Sequence, residues 1–565
     1  MTSQKTAVEK IWLKSYPAGV PAEIDASEFS SIKDILEKSC AKFGDKKAFT
    51  CMGRSITYRE LDKLTRNFAA YLQKRGLKKG DRMAIMLPNI LQYPVVLFGA
   101  LRAGLTIVNT NPLYTPRELE HQLHDSGAQA IVILENFAAT LQEVLPKTSI
   151  KLVITTQVGD LLGFPKSLLV NFVVKHRKKL VPPWQIQGTS SLRNALAQGG
   201  GCDYTPPSLN HSDLAFLQYT GGTTGVPKGA MLTHGNIVSN LLQTRSWVCG
   251  NLRMGEEIVI TPLPLYHIFS LTGNCFTFVT LGGENVLIPN PRDIKAFVAE
   301  MAKVRFSAIT AVNTLFNQLV NDEDFKKLDF SNLRLSLGGG MAVQRVVAEQ
   351  WQAITKCALV EAYGLTETSP AATGNPLNIT EWSGNIGLPM PSTIITIRDD
   401  DENILPVGQS GEICIEGPQF MQGYWQRFDE TALVMTKDGA FKTGDVGIMN
   451  EGGFVKIVDR KKDMILVSGF NVYPNEIEDV VAMCPGVLEV CAVAAPDEKS
   501  GEQVRVVIVK KDPALDKAAV LEYCKKHLTG YKVPRIIEFW DSLPKTNVGK
   551  VLRREVKNTK PPTKS

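Results

Sequence analysis

From Asp81 onward the chain alternates short apolar runs with amphipathic stretches. The runs Met83 to Leu87, Ala130 to Leu134, Ile258 to Ile260 and Val286 to Ile288, with the less pure Leu333 to Leu337, are apolar at nearly every position. That pattern predicts strands covered on both faces, and the stretches between them predict the covering helices. The expected architecture is a large α/β core of βα units. One helix start is explicit: Thr115 is placed to cap, Pro116 fits the first turn, and Glu118 completes a capping box, so a helix is expected to run to about His124.

The pattern breaks between Phe454 to Val458 and Met464 to Val467. The pentad Asp459-Arg460-Lys461-Lys462-Asp463 separates these runs, and because such a cluster is not buried unpaired it predicts a surface turn or joint. Residues 1–458 are therefore read as a large domain, 459–463 as a hinge and 464–565 as a small α+β domain. In the small domain the expected order is helix Asn475 to Met483, strands Val490 to Ala494 and Val504 to Lys510, helix Lys517 to Leu528, and strand Ile536 to Phe539. The Lys- and Pro-rich tail, Lys557 to Ser565, is expected to fray.

Leu161 to Val174 is rich in apolar residues and runs into Lys175-His176-Arg177-Lys178-Lys179, with Trp184 beyond. Two readings stay open. The segment either lies on an anionic bilayer surface or is a core helix with a solvated basic end.

Composition narrows the function classes. At 565 residues, 44% hydrophobic and 21% charged, the chain buries a large core and is neither disordered nor membrane-spanning. A net charge of +6 spread over this length is too dilute to indicate nucleic acid. Ten scattered cysteines without metal-ligand spacing suit a reducing compartment. With no signal-peptide pattern at the N-terminus, the expected location is the cytoplasm. Oligomeric state does not follow from the sequence.

The chemistry concentrates where apolar Leu214 to Leu217 empties into Tyr219-Thr220-Gly221-Gly222-Thr223-Thr224-Gly225-Val226-Pro227-Lys228-Gly229. Glycines permit the turns of an anion nest, the threonine hydroxyls add donors and Lys228 adds a compact cation, a composition suited to a polyphosphate. It is not a Walker A loop, because Val226-Pro227 separate Gly225 from Lys228. Ala230 to His234 reads as a second strand, so no helix dipole is expected at the anion.

The loop resembles the phosphate loop of the acyl-adenylate-forming superfamily. Further matches follow in the superfamily's order: Gly338-Gly339-Gly340, Tyr363-Gly364-Leu365-Thr366-Glu367, Thr443-Gly444-Asp445, Asp459-Arg460 and Pro544 to Lys550. Leu91 to Pro94, Asn111 to Leu119 and Val458 to Pro474 narrow the resemblance to bacterial long-chain fatty-acyl-CoA ligases, which serve fatty acid uptake and degradation. The resemblance implies a small mobile C-terminal domain and the co-substrates ATP, CoA and fatty acid. It also implies Mg²⁺ served by Glu367 and Thr220, while the apolar and basic residues from Phe164 to Trp184, on the bilayer reading, would touch the inner face of the membrane.

Carried over residue by residue, it implies that Thr220 to Lys228 hold the β and γ phosphates. Tyr363 would stack on adenine beside Gly338 to Gly340, Asp445 would bind both ribose hydroxyls, and Arg460 would serve ribose and phosphate. His267 would lie near the acyl pocket. Lys550 would be catalytic, its ammonium offsetting the repulsion between carboxylate and α-phosphate. Rotation about Asp459 would then withdraw Lys550 and bring the Gly469 region to the pantetheine channel. Two departures stand out: Ala440 replaces the usual aromatic, and no Trp gate lies near Phe269, which leaves chain-length preference open.

Overall fold

The apolar runs form the centres of two sheets. The computed structural model describes residues 8–220, 227–497 and 500–559. A seven-stranded sheet takes the order Ser190–Ser191, Leu152–Thr156, Ala130–Leu134, Arg82–Met86, Thr106–Asn109, Leu214–Thr220, Lys228–Thr233. It is parallel except for the last pair. Every residue of Ala130–Leu134 is buried, as a strand with helices on both faces must be.

A nine-stranded sheet has Glu284–Leu287, Ile258–Thr261, Ala308–Ala311, Leu335–Gly338 and Leu359–Gly364 as successive parallel neighbours. Its edge includes Lys47–Cys51 and Arg54–Thr57, which lie before Asp81 and lack the continuous apolar signal. The expected capping box is present: Thr115 accepts from the Glu118 N–H, and the helix Pro116–Ser126 ends on Gly127 at φ 60°. The strand expected to reach His234 stops at Thr233, which caps the helix His234–Val248.

A third, antiparallel sheet of Ile394–Arg398, Ser410–Glu416, Phe441–Met449 and Val455–Arg460 follows. Ala440, in the turn before its third strand, is fully buried, and its N–H donates to Thr436 Oγ1 at 2.8 Å. The missing aromatic leaves that turn closed.

The pentad departs from expectation. Asp459 and Arg460 complete a strand of this third sheet, and only the next three residues turn. Asp459 is fully buried. It escapes the penalty of an unpaired buried charge by accepting the N–H groups of Arg460 (2.7 Å) and Asn475 (2.9 Å), with the Arg553 guanidinium 3.7 Å away.

The small sheet then begins, built from Ile465–Val467, Phe470–Val472, Gly501–Lys510, Val487–Asp497 and Ile536–Phe539. The helices Pro474–Ala482 and Lys517–His527 accompany it. The tail is more ordered than expected up to its last helix, Arg553–Asn558, whose Val556 packs beside Cys491, Val493 and Val507. Lys557 thus belongs to a helix, and 560–565 lie outside the described residues.

The segment after Leu161 is not a core helix. It forms the helix Lys166–Phe172 and a π-helical turn Val173–Arg177, and in these two elements only Ser167 is buried. Phe164 and Leu169 are 86% and 63% exposed, and Leu168, Phe172 and Leu180 are also exposed. Among the described residues no helix is long and apolar enough to cross a membrane.

Candidate active site

Strands of both large, mostly parallel sheets end in candidate site residues, the place where open α/β sheets bind ligands. Leu335–Gly338 and Leu359–Gly364 are parallel neighbours, with Gly338 opposite Glu361. Their ends form a wall with no room for side chains. A Cβ at Gly338 would lie 2.6 Å from Val343 Cγ2, one at Gly339 would lie 3.1 Å from the Phe269 ring, and one at Gly364 would lie 1.8 Å from the Pro370 carbonyl oxygen. Each of these positions is closed to a side chain by packing within the protein itself.

Tyr363 stands at this wall and donates its hydroxyl to Asp445 Oδ2 at 2.6 Å. Asp445 and Arg460 face each other across two antiparallel strands, and Arg460 Nε lies 3.1 Å from Asp445 Oδ1. Burial and the neighbouring carboxylate keep the Tyr363 hydroxyl protonated by raising its pKa far above the usual tyrosine range. An aromatic face, a carboxylate and a guanidinium thus converge from two sheets.

At the other end Thr220 pairs with Lys228 across the hairpin. Gly221, Gly222, Thr223, Thr224, Gly225 and Val226 lie outside the described residues. The loop's flanks are tied down: Tyr219 donates to Asp125 Oδ2 at 2.7 Å, Arg427 Nη2 donates to Asp125 Oδ1 at 2.6 Å, and His121 Nε2 lies 3.2 Å from the Pro227 carbonyl oxygen. The Gly229 carbonyl accepts from the Trp425 N–H at 2.8 Å. Lys228 pairs with Glu430, and its Nζ stands 5.3 Å from the Tyr424 ring centroid.

Thr366 opens the short turn Thr366–Thr368 that presents Glu367. Glu367 is buried, which raises its pKa, while the Tyr424 hydroxyl, donating to Oε1 at 2.7 Å, opposes the rise. Among the described residues no group of three or more His, Cys, Asp or Glu side chains is set to hold a metal ion. A lone carboxylate that shares the Tyr424 side chain with Lys228 nevertheless fits Mg²⁺, which takes one or two carboxylates and completes its shell with water and substrate phosphates. With one oxygen engaged by a donor, Glu367 keeps acceptor capacity for such a cation.

Lys550 reaches this site from the small domain. A Cβ at Gly340, where φ is +78°, would lie 3.2 Å from Lys550 Cε and 3.6 Å from Nζ. Loss of hydration around the ammonium, with Arg460 nearby, brings the Lys550 pKa down to about 8. A small cavity joins Lys550 and Gly340 to His267, Phe269 and Val312. Burial holds His267 neutral, its pKa pushed down to about 3, and its Nδ1 accepts the Phe269 N–H at 3.3 Å.

The lobe carrying Lys550 is seated by hydrogen bonds that include Thr314 Oγ1 to the Gly549 carbonyl oxygen (2.9 Å) and Asn317 Nδ2 to the Leu488 carbonyl oxygen (2.8 Å). Gly469 is not brought to the cluster. It occupies an exposed hairpin turn with Ser468, at φ 83° and 51°, and a Cβ there would meet nothing within 4 Å. Sequence reasoning missed Tyr424, Glu430, Asp125 and Arg553. Each acts through a partner remote in sequence, so no local pattern marks it.

With this geometry in place, comparison with known proteins gives the class. Residues 36–425 match the AMP-binding enzyme family and residues 476–550 match the AMP-binding enzyme C-terminal domain. The chain belongs to the AMP-binding enzymes, which form acyl adenylates, and it is an AMP-forming ligase. It is 57% identical over 552 residues, 98% of each chain, to a long-chain-fatty-acid–CoA ligase of Escherichia coli O6:H1. It is 52% identical, again over 98% of each chain, to the protein of that name from Haemophilus influenzae. Among solved structures, ATP-bound MatB from Rhodopseudomonas palustris superposes with a TM-score of 0.80 at 28% identity, over 93% of this chain and 98% of that one. The anthranilate–CoA ligase AuaEII in complex with anthranoyl-AMP reaches 0.84 at 21% identity, over 94% and 98%, a likeness of fold.

Proposed function

We infer that this chain is an ATP-dependent long-chain fatty acid–CoA ligase. In the first half-reaction a fatty carboxylate oxygen attacks the α-phosphorus of ATP and the bond to pyrophosphate breaks, giving acyl-AMP. In the second, the CoA sulfur attacks the acyl carbon, AMP leaves and the thiol proton is released. The observation that carries this reading is the approach of Lys550 to Gly340 beside the Tyr363, Asp445 and Arg460 cluster. One ammonium there would stand between two anions that must meet, where its charge counts most.

In this reading Tyr363 and Gly338 to Gly340 hold adenine, and Asp445 and Arg460 hold the ribose. Thr220 to Lys228 and Gly229 hold the phosphates, and His267 lies at the acyl end. Glu367 and Thr220 are the residues that would hold Mg²⁺, which when bound neutralises triphosphate charge. Asp459 serves as the pivot about which the small domain turns to exchange Lys550 for Gly469 at the CoA channel. The burial of Asp459 against Arg553 supports a fixed pivot with an exposed turn beside it. Fatty acid-dependent ATP/pyrophosphate exchange, with thioester appearing only when CoA is added, is the expected behaviour. A substrate-length series without exchange on any long chain would overturn it.

A peripheral contact with membrane is the second part of the proposal. The exposed Phe164, Leu168, Leu169 and Phe172 adjoin Lys175, Arg177, Lys178 and Lys179, a pairing of apolar insertion and cationic attraction that suits an anionic bilayer. Replacing the four cations by Gln is expected to lower co-sedimentation with anionic vesicles, and unchanged sedimentation would remove this contact.

A further inference from the structure

The segment after Gln419 straps together the two sides of the phosphate end. Met421 N–H donates to the Glu367 carbonyl at 2.8 Å, Gln422 N–H to that of Met231 at 3.0 Å, Met231 N–H to that of Gly423 at 2.9 Å, and Trp425 N–H to that of Gly229 at 2.8 Å. The strap therefore pairs antiparallel with the strand Lys228–Thr233, while its start is bonded to the turn carrying Glu367.

Tyr424, buried at the middle of the strap, is held there by its own N–H, which donates to Thr431 Oγ1 at 2.9 Å. Its two chemical ends face different partners. The hydroxyl donates to Glu367 Oε1 at 2.7 Å. The ring face stands 5.3 Å from Lys228 Nζ, inside the range of a cation–π contact.

We propose that Tyr424 is a positioning residue of the phosphate site, its hydroxyl fixing the Glu367 carboxylate for the divalent cation and its ring fixing Lys228 for the phosphates. The proposal rests on the roles given above to Glu367 and Lys228. The physical reason for a tyrosine is that no other side chain offers an O–H donor at one end and a π face along its flank. A buried carboxylate with one donor on one oxygen is restricted in rotation, so its remaining acceptor capacity is aimed before the cation arrives. Lys228, whose stem is flexible, gains a surface to rest against.

The two ends separate experimentally in the full-length chain. Tyr424→Phe removes the donor and keeps the ring, whereas Tyr424→Leu removes both. Two binding readouts apply without fatty acid: Mn²⁺ half-saturation of the enzyme–ATP complex by electron paramagnetic resonance, and ATP binding in EDTA by calorimetry. Tyr424→Phe is expected to raise the Mn²⁺ half-saturation about tenfold, the scale of one hydrogen bond to a charged group, while ATP binding in EDTA stays within twofold. Tyr424→Leu is expected to show the same metal defect and, in addition, about threefold weaker ATP binding in EDTA.

A Tyr424→Phe metal curve that superimposes on the parent's overturns the hydroxyl's role, and equal EDTA binding by Phe and Leu variants overturns the ring's. Far-UV circular dichroism checks the fold, and the near-isosteric Phe variant keeps the test open if Leu fails to fold. Glu367→Gln distinguishes the two levels of argument. If it leaves the metal curve unchanged, the Glu367 reading itself falls and takes this proposal with it. If it shifts the curve and Tyr424→Phe does not, only the present proposal falls.

Discussion

The nucleotide wall and the lobe bearing Lys550 meet at Gly340 but are held in opposite ways. The wall is fixed by steric closure: at Gly364 a single added carbon would stand 1.8 Å from a carbonyl oxygen, and at Gly338 it would stand 2.6 Å from a valine methyl. Such contacts leave no softer arrangement nearby. The lobe rests on hydrogen bonds such as those of Thr314 and Asn317 to backbone carbonyls, each worth roughly 0.5–1.5 kcal/mol net. A few bonds of that size match what differential ligand affinity supplies to shift a conformational equilibrium. Under the proposed function the contrast becomes a division of labour, in which the wall would bind the nucleotide through both half-reactions and the lobe would bring charge for only one.

Removing the ammonium tests that division most severely. At about 4 Å and an effective dielectric near 20 one charge pair contributes on the order of 4 kcal/mol, and about 1.36 kcal/mol is tenfold in rate. Lys550→Ala is therefore expected to slow fatty acid-dependent ATP/pyrophosphate exchange about a thousandfold. Thioester formation from supplied acyl-AMP should change less than about threefold. Exchange within fivefold of the parent would break the comparison on its lobe side.

The wall's counterpart is Asp445→Asn. Asp445 is engaged by Tyr363 and Arg460, and an amide forfeits both the charge and one acceptor, which costs about 2 kcal/mol where a partner is charged. AMP binding is expected to weaken about thirtyfold by calorimetry, with both half-reactions slowed alike. A loss confined to one half-reaction would show that the wall, too, belongs to a single step.

Much of the fold was legible in the sequence. The covered strands announced themselves because residues such as Ile131 and Val132 are apolar on both faces, and the wall glycines were found as an ordered motif. Lys47–Cys51 and Arg54–Thr57 were not, since each is short and carries polar residues, so neither forms a continuous apolar run. The pentad misled because its charges were judged by kind: Asp459 is fully buried, and the cation nearest it, Arg553, is 94 residues downstream by number. Tyr424 was invisible for the same reason, its meaning residing in Glu367 and Lys228. The segment near Lys166 was ambiguous because an apolar run beside cations fits both a core and a bilayer, and only exposure separates them.

The titration of Lys550 gives a milder probe of the lobe. Burial lowers its pKa from an ordinary lysine value to about 8, so the free enzyme holds the active ammonium below that pH and loses it above. Because kcat/KM reports groups of the free enzyme, kcat/KM for adenylation is expected to fall about tenfold per pH unit above about 8. Lys550→Arg, whose guanidinium stays charged, should abolish that limb while lowering the plateau. A limb that persists in the Arg variant would assign it to another group.

The smallest expected effect is the most selective. Thr314 sits in the large domain and donates to the Gly549 carbonyl, one residue from Lys550, so Thr314→Val removes one seating bond and leaves the wall and the ammonium intact. One such bond, about 1 kcal/mol, corresponds to roughly a fivefold shift between seated and unseated lobe. Adenylation should slow by about that factor, nucleotide binding should stay unchanged, and thioester formation from supplied acyl-AMP should hold steady or quicken, because the lobe leaves this seat more readily. Equal slowing of both half-reactions would reduce Thr314 to a prop of the fold, and the seat would then not be where the two steps are told apart.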